Sequence, residues 1–136
     1  MIIRAVLLFL LLFRTINATE VVFSKDVNLP EPLKKRVVEY WEKRGDRLFE
    51  KTYSYELPYL QYLHTPFWYE KFFQHAMQLS KVEVKKVTKC NETRCIIGLL
   101  LRFKFSPNST TFLYDKWINL DGVWYHKYND NPLPTL

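Results

Sequence analysis

The sequence predicts an α+β fold, with N-terminal helices packed on an antiparallel β-sheet of about four strands. Three observations predict it. Between Leu33 and Met77 apolar residues recur at helical spacing, interrupted by Pro58 and Pro66. From Lys81 to Tyr128 the apolar period drops to two. That second stretch is divided by three turn signals, at Asn91 to Arg94, Ser106 to Thr110 and Asp121-Gly122. A chain of 136 residues has room for one such domain.

The ends are expected to lie outside it. Residues 1–18 join a short basic start, an apolar run from Ala5 to Phe13 and Ile16-Asn17-Ala18, the build of a secretory signal peptide. The run is too short to span a bilayer, which takes roughly 20 helical residues. The expectation is an exported chain, periplasmic or secreted, with no stable membrane span after cleavage; an uncleaved anchor is the alternative. The domain then covers 19–128, and residues 129–136, with Pro132 and Pro134, form a flexible tail.

Within the domain, Thr19 to Leu29 is a lead-in whose Val21, Val22 and Phe23 either add an edge strand or pack on the first helix. Pro30 and Pro32 suit a helical first turn. Leu33, Val37, Trp41 and Leu48 then form an apolar stripe, widened by Val38 and Tyr40. Gly45 costs about 1 kcal/mol in a helix interior, yet one helix to about Thr52 is expected. Tyr53 to His64 is an aromatic hinge with a short helical piece after Pro58. Thr65-Pro66 reads as an N-cap and first-turn proline for a helix to about Met77.

Strands follow from about Val82, from Cys95 to Phe105, from Phe112 to Leu120 and from Val123 to Tyr128. A four-residue turn at Asn91 to Arg94 sets Cys90 opposite Cys95, close enough for a disulfide in an oxidising compartment. The same register sets Val84 opposite Leu101 and Val82 opposite Phe103. The Asp121-Gly122 turn sets Trp117 opposite His126 and Ile118 opposite Tyr125. A four-residue turn at Ser106 to Thr110 would place Phe112, Tyr114, Ile118 and Leu120 on the face of Leu99, Leu101 and Phe103. A one-residue change there reverses the faces.

Charge and ligand-type residues exclude some functions. Without Arg4 and Arg14, 18 basic residues face 14 acidic ones, a mild excess spread along the chain. This argues against a nucleic-acid partner, which calls for a dense basic stripe with stacking rings. Two cysteines and the scattered His64, His75 and His126 make no zinc set, so no metal or other cofactor is expected. Asn17, Asn91 and Asn108 begin Asn-x-Ser/Thr triplets, acceptors only in a glycosylating source.

The stretch Trp117-Ile118-Asn119-Leu120-Asp121-Gly122-Val123-Trp124-Tyr125-His126 resembles the closing hairpin of the NTF2-like (SnoaL-like, cystatin-like α+β) superfamily. The resemblance covers Leu29 to Tyr128 in pattern and is specific only over that hairpin. It implies a strongly bent sheet wrapped around its helices into a cone, and often a homodimer through the sheet. Its members include isomerases, dehydratases and cyclases, and many exported domains without known activity. No catalytic set carries over. Glu56 and Asp115 are the only acids set among aromatics, and neither can be assigned to a pocket from sequence.

Two clusters are candidate sites. Tyr53, Tyr55, Tyr59, Tyr62, His64, Trp68 and Tyr69 would line the mouth of the cone and hold a small apolar ligand, or else serve as core. Asp115, Trp117, Trp124, His126 and Tyr128 share a sheet face. If that face is outermost they form an interface patch for a second copy or a protein partner; otherwise they are covered. His126 beside Asp115 has the parts of an oriented base but no evident nucleophile. The expectation is a non-catalytic binding or assembly module. The alternatives are a small-molecule isomerase, dehydratase or cyclase using the cone interior, and a cystatin-like inhibitor, which would lack the glutamine-valine-glycine loop.

Overall fold

The computed structural model describes residues 18–128. The expected signal peptide, apart from Ala18, and the expected tail lie outside the described residues. The order is β1 (Glu20–Phe23), α1 (Glu31–Gly45), α2 (Phe49–Thr52) running into a 3₁₀ turn (Tyr53–Tyr55), α3 (Pro58–Leu63) and α4 (Pro66–Phe72). Then come β2 (Leu79–Cys90), β3 (Arg94–Phe103), β4 (Thr110–Leu120) and β5 (Val123–Lys127). The fold is α+β, with helices against a curled sheet, as expected. The sheet has five strands, in the order β1-β2-β3-β4-β5, where about four were expected. The lead-in supplies the fifth: β1 runs parallel to β2, with Val21 beside Val82 and Phe23 beside Val84.

The single helix expected to Thr52 stops at Gly45. A Cβ at Gly45 would fall on the Thr19 side chain. Thr19 is held there by Asp46, whose Oδ1 accepts from the Thr19 N–H and Oγ1, both at 2.8 Å, with Leu79 O 2.9 Å from the same Oγ1. Arg47 then takes φ 64°, which no helix continues. Thr65 does cap α4, accepting from the Trp68 N–H. The helix ends at Phe72, short of Met77, because the chain must turn to enter β2 at Leu79.

Cys90 and Cys95 face each other and are disulfide-bonded. Beyond them the expected register slips. Irregularities between Val84 and Lys86 and between Val87 and Lys89 each consume one β2 residue, so Val84 lies opposite Leu99 and Val82 opposite Leu101. The hairpin at Asp121-Gly122 has the expected pairs, Trp117 with His126 and Ile118 with Tyr125.

The β3–β4 connection is longer than expected. Arg102 pairs with Thr110, leaving residues 103–109 between the partners. Phe103 and Lys104 stay with β2, Phe103 beside Leu79 and the Lys104 N–H donating to Gln78 O, and Ser106 and Ser109 close the loop through their hydroxyls. The excess over four residues is odd, so every β4 side chain changes face. Leu113, Asp115 and Trp117 lie opposite Leu99, Ile97 and Cys95, and Phe112 and Tyr114 turn outward.

The main core lies between α1 and the inner sheet face. Leu33, Val37, Tyr40 and Trp41, at helical spacing, meet Val82, Val84, Ile97, Leu99, Trp117 and Trp124. Burying each large apolar side chain contributes about 1.5–3 kcal/mol. A second cluster joins Phe49, Leu57, Leu60, Tyr69, Phe73 and Tyr128.

Candidate functional site

Where the two cores meet lies a buried polar centre of Glu56, His126 and Asp115. Each residue arrives from a different element. Glu56 follows the 3₁₀ turn, its chain hooked to β5 by the Leu57 N–H donating to His126 O at 3.0 Å. Asp115 and His126 point inward from β4 and β5. The imidazole lies between the carboxylates: Nδ1 is 2.8 Å from Glu56 Oε2 and 3.0 Å from Oε1, and Nε2 is 2.6 Å from Asp115 Oδ1. The other carboxylate positions are also filled. Tyr40 and Tyr69 donate their hydroxyls to Glu56 Oε1 at 2.7 and 2.8 Å. The indoles of Trp41 and Trp117 donate to Asp115 Oδ2 at 2.8 and 2.7 Å. Arg44 Nη1 donates to the Tyr40 hydroxyl, and Thr52 Oγ1 lies 2.9 Å from the Tyr69 hydroxyl. The Tyr40 ring stacks on the imidazole, with centroids 4.1 Å apart.

Both ring nitrogens of His126 face carboxylate oxygens, so both must donate and the ring is an imidazolium. Burial opposes that charge. Glu56, then Asp115, outweighs it by charge attraction and hydrogen bonding, raising the His126 pKa to about 9. Burial likewise disfavours the Asp115 carboxylate, but His126 and the two indoles reverse this and hold its pKa below the ordinary value. Burial, with nearby Glu56, lifts both phenols; Tyr40 stands well above the ordinary tyrosine value. Arg44 is raised despite burial by the oxygens around it. Every one of these groups is bonded to another, and Glu56, Asp115 and His126 are 0%, 3% and 1% exposed.

The expected interface patch is thus corrected. Asp115, Trp117, Trp124, His126 and Tyr128 are all buried within one chain, because the longer β3–β4 loop turns this face inward. The expected pocket lining is divided. Tyr69 belongs to the polar centre. Tyr53 donates to Gln61 O at 2.7 Å, and Tyr55 donates to Glu39 under the Arg36 guanidinium. His64 stacks on Trp68 at 3.7 Å, and Tyr59 and Tyr62 are exposed. A cleft of about 350 Å³ lies elsewhere, between Arg47, the 74–78 segment and Phe103, Phe105 and Ser106. Among the described residues no group of three or more His, Cys, Asp and Glu is arranged to hold a metal ion.

Sequence reasoning paired His126 with Asp115 and singled out Glu56, but missed Tyr40, Trp41, Arg44 and Thr52 as partners. A signal was present. Tyr40 and Arg44 are four apart, so they share a helix face, and a phenol within a buried stripe needs a partner.

No family model matches the chain, and no curated protein matches it. Among solved structures it is similar to RPA3114, a SEC-C motif containing protein from Rhodopseudomonas palustris. The TM-score is 0.52 at 10% identity, covering 68% of this chain and 73% of that one. At that identity the likeness is one of fold alone.

Proposed function

We propose that the chain is an exported, non-catalytic binding module of NTF2-like design, working through its surface. The observation that carries this reading is the closure of the polar centre. The side chains with the chemistry of an acid–base site, Glu56, His126 and Asp115, spend their bonding capacity on one another and on Tyr40, Tyr69, Trp41 and Trp117. An isomerase-type site would aim its phenols and acid at a space a substrate can enter. Here both phenols are aimed at Glu56. The hydrophobic N-terminal segment supports export, and the disulfide accords with an oxidising compartment. The curled sheet over its helices supports the NTF2-like design.

Proton NMR of the His126 ring tests the reading. Both ring N–H signals should persist in water as the solution is taken from neutral pH towards the raised pKa. Rapid solvent exchange of those protons, or titration near an ordinary imidazole value, would show an accessible base and overturn it.

A further inference from the structure

The outer face of the sheet carries a pattern that the linear sequence hides. The register sets the outward residues of four strands into cross-strand rows. One row reads Lys89, Ile96, Lys116, Lys127, and the next reads Lys86, Gly98, Tyr114. Arg94, Arg102 and Lys81 also lie on this face. Two acids share the face among the described strand residues: Glu83, which already bonds Lys81 and Lys85, and Glu20, which stands beside Lys81 on the edge strand. Lys116 and Lys127 stand directly opposite each other, where facing side chains come within about 5 Å and like charges repel. Lys89 lies two strand spacings from Lys116, roughly 10 Å.

Between the cations the face is apolar. Phe112 and Tyr114 are 43% and 53% exposed, and Lys86 lies 5.5 and 5.4 Å from their ring centres. Gly98 makes this cluster compact: a Cβ there would come within 2.6 Å of the Phe112 ring. Leu120 and Val123 extend the apolar surface to the tip of the last hairpin.

We propose that this face docks on an anionic lipid bilayer surface. The inference rests on the reading of the chain as a binding module, and it names the partner. Charge complementarity requires an anionic occupant. A second copy meeting the same face would set lysines against lysines. The face offers no Asn, Gln or His, and Arg94 and Arg102, which could read guanines, stand near opposite ends of β3 rather than grouped. Lysines that pair with phosphates as point charges, around rings and aliphatic side chains that enter the headgroup layer, match a lipid interface.

Co-sedimentation of the full chain with phosphatidylcholine vesicles, without and with about 30% phosphatidylglycerol, tests this. Any contribution of the apolar N-terminal segment is common to wild type and variants. The anionic lipid should increase partitioning. Lys116→Gln and Lys127→Gln should each lower it roughly fivefold, and Lys89→Gln similarly. The folded state should be no less stable in the Lys127→Gln variant, because the substitution relieves the repulsion with Lys116. Equal partitioning into both vesicle types, or variants that bind like wild type, would overturn the proposal. So would a single-stranded oligonucleotide that binds through the same lysines more tightly than the vesicles do, or a lipid-free dimer lost on Phe112→Ala. None of these results alters the exchange behaviour of His126, so the closed, non-catalytic interior is judged separately.

Discussion

His126 holds a charge in the core only because two carboxylates face it, and this makes the residue-scale consequences specific. Removing one partner leaves the others buried and uncompensated, which costs about 3–5 kcal/mol. Glu56→Gln and Asp115→Asn should therefore each lower the urea-unfolding free energy by that order. Tyr69→Phe removes a hydroxyl that Glu56 accepts from and should cost less, about 1.5–3 kcal/mol. The pH dependence follows from the raised imidazole. His126 binds its proton more tightly folded than unfolded, so its stabilisation is complete below about 6.5. It fades as pH rises and is gone above about 9. The difference is about 3 kcal/mol. Asp115 acts in the opposite sense: its lowered pKa contributes stability above the ordinary carboxylate value, lost as pH falls through the folded value. Urea midpoints from pH 6 to pH 10 should fall for wild type and stay nearly flat over that range in His126→Gln; a flat wild-type curve would remove the imidazolium.

At the scale of elements, Gly45 records where two segments touch. It stands at the end of α1, where the Thr19 side chain leaves no room for a Cβ. Gly45→Ala gains helix propensity of about 1 kcal/mol. It also pushes Thr19 off Asp46 and Leu79, and overpacking of this kind costs about 1–3 kcal/mol. A net loss in thermal midpoint is expected, and a gain would show that the lead-in is loosely attached. The disulfide is an element-scale device of smaller effect. It joins residues five apart at the mouth of a hairpin. Chain entropy limits its contribution to about 2 kcal/mol. Reductant should shift the urea midpoint modestly and leave the far-ultraviolet dichroism of the sheet intact; collapse of the sheet would make the bond a condition of folding. Both hairpins were legible because each short turn admits few registers. The β2 irregularities were not, since no glycine or proline marks them.

For the whole molecule, the described residues present a closed polar centre and a basic outer sheet face, and one loop separates the two outcomes. Local chemistry determined much of this in advance: helices ahead of strands from the change of period, the cap at Thr65, the Cys90–Cys95 bond and the last hairpin. Each depends on contacts a few residues apart, which the order of residue types specifies. It was also legible that Asp115, Trp117, Trp124 and His126 share a face, because side chains alternate along a strand. Which face looks inward was decided by tertiary structure. Phe103 and Lys104 staying with β2, and α1 offering Tyr40 and Trp41 as donors, go with the register that buries Asp115 rather than Phe112. The joining of Glu56 to His126 across 70 positions was likewise decided by packing, because loop closure over that distance leaves no periodic trace in the sequence. The lysine rows on the outer face follow from the same register. The charges were plain in the sequence, but only the pairing of strands brought them together.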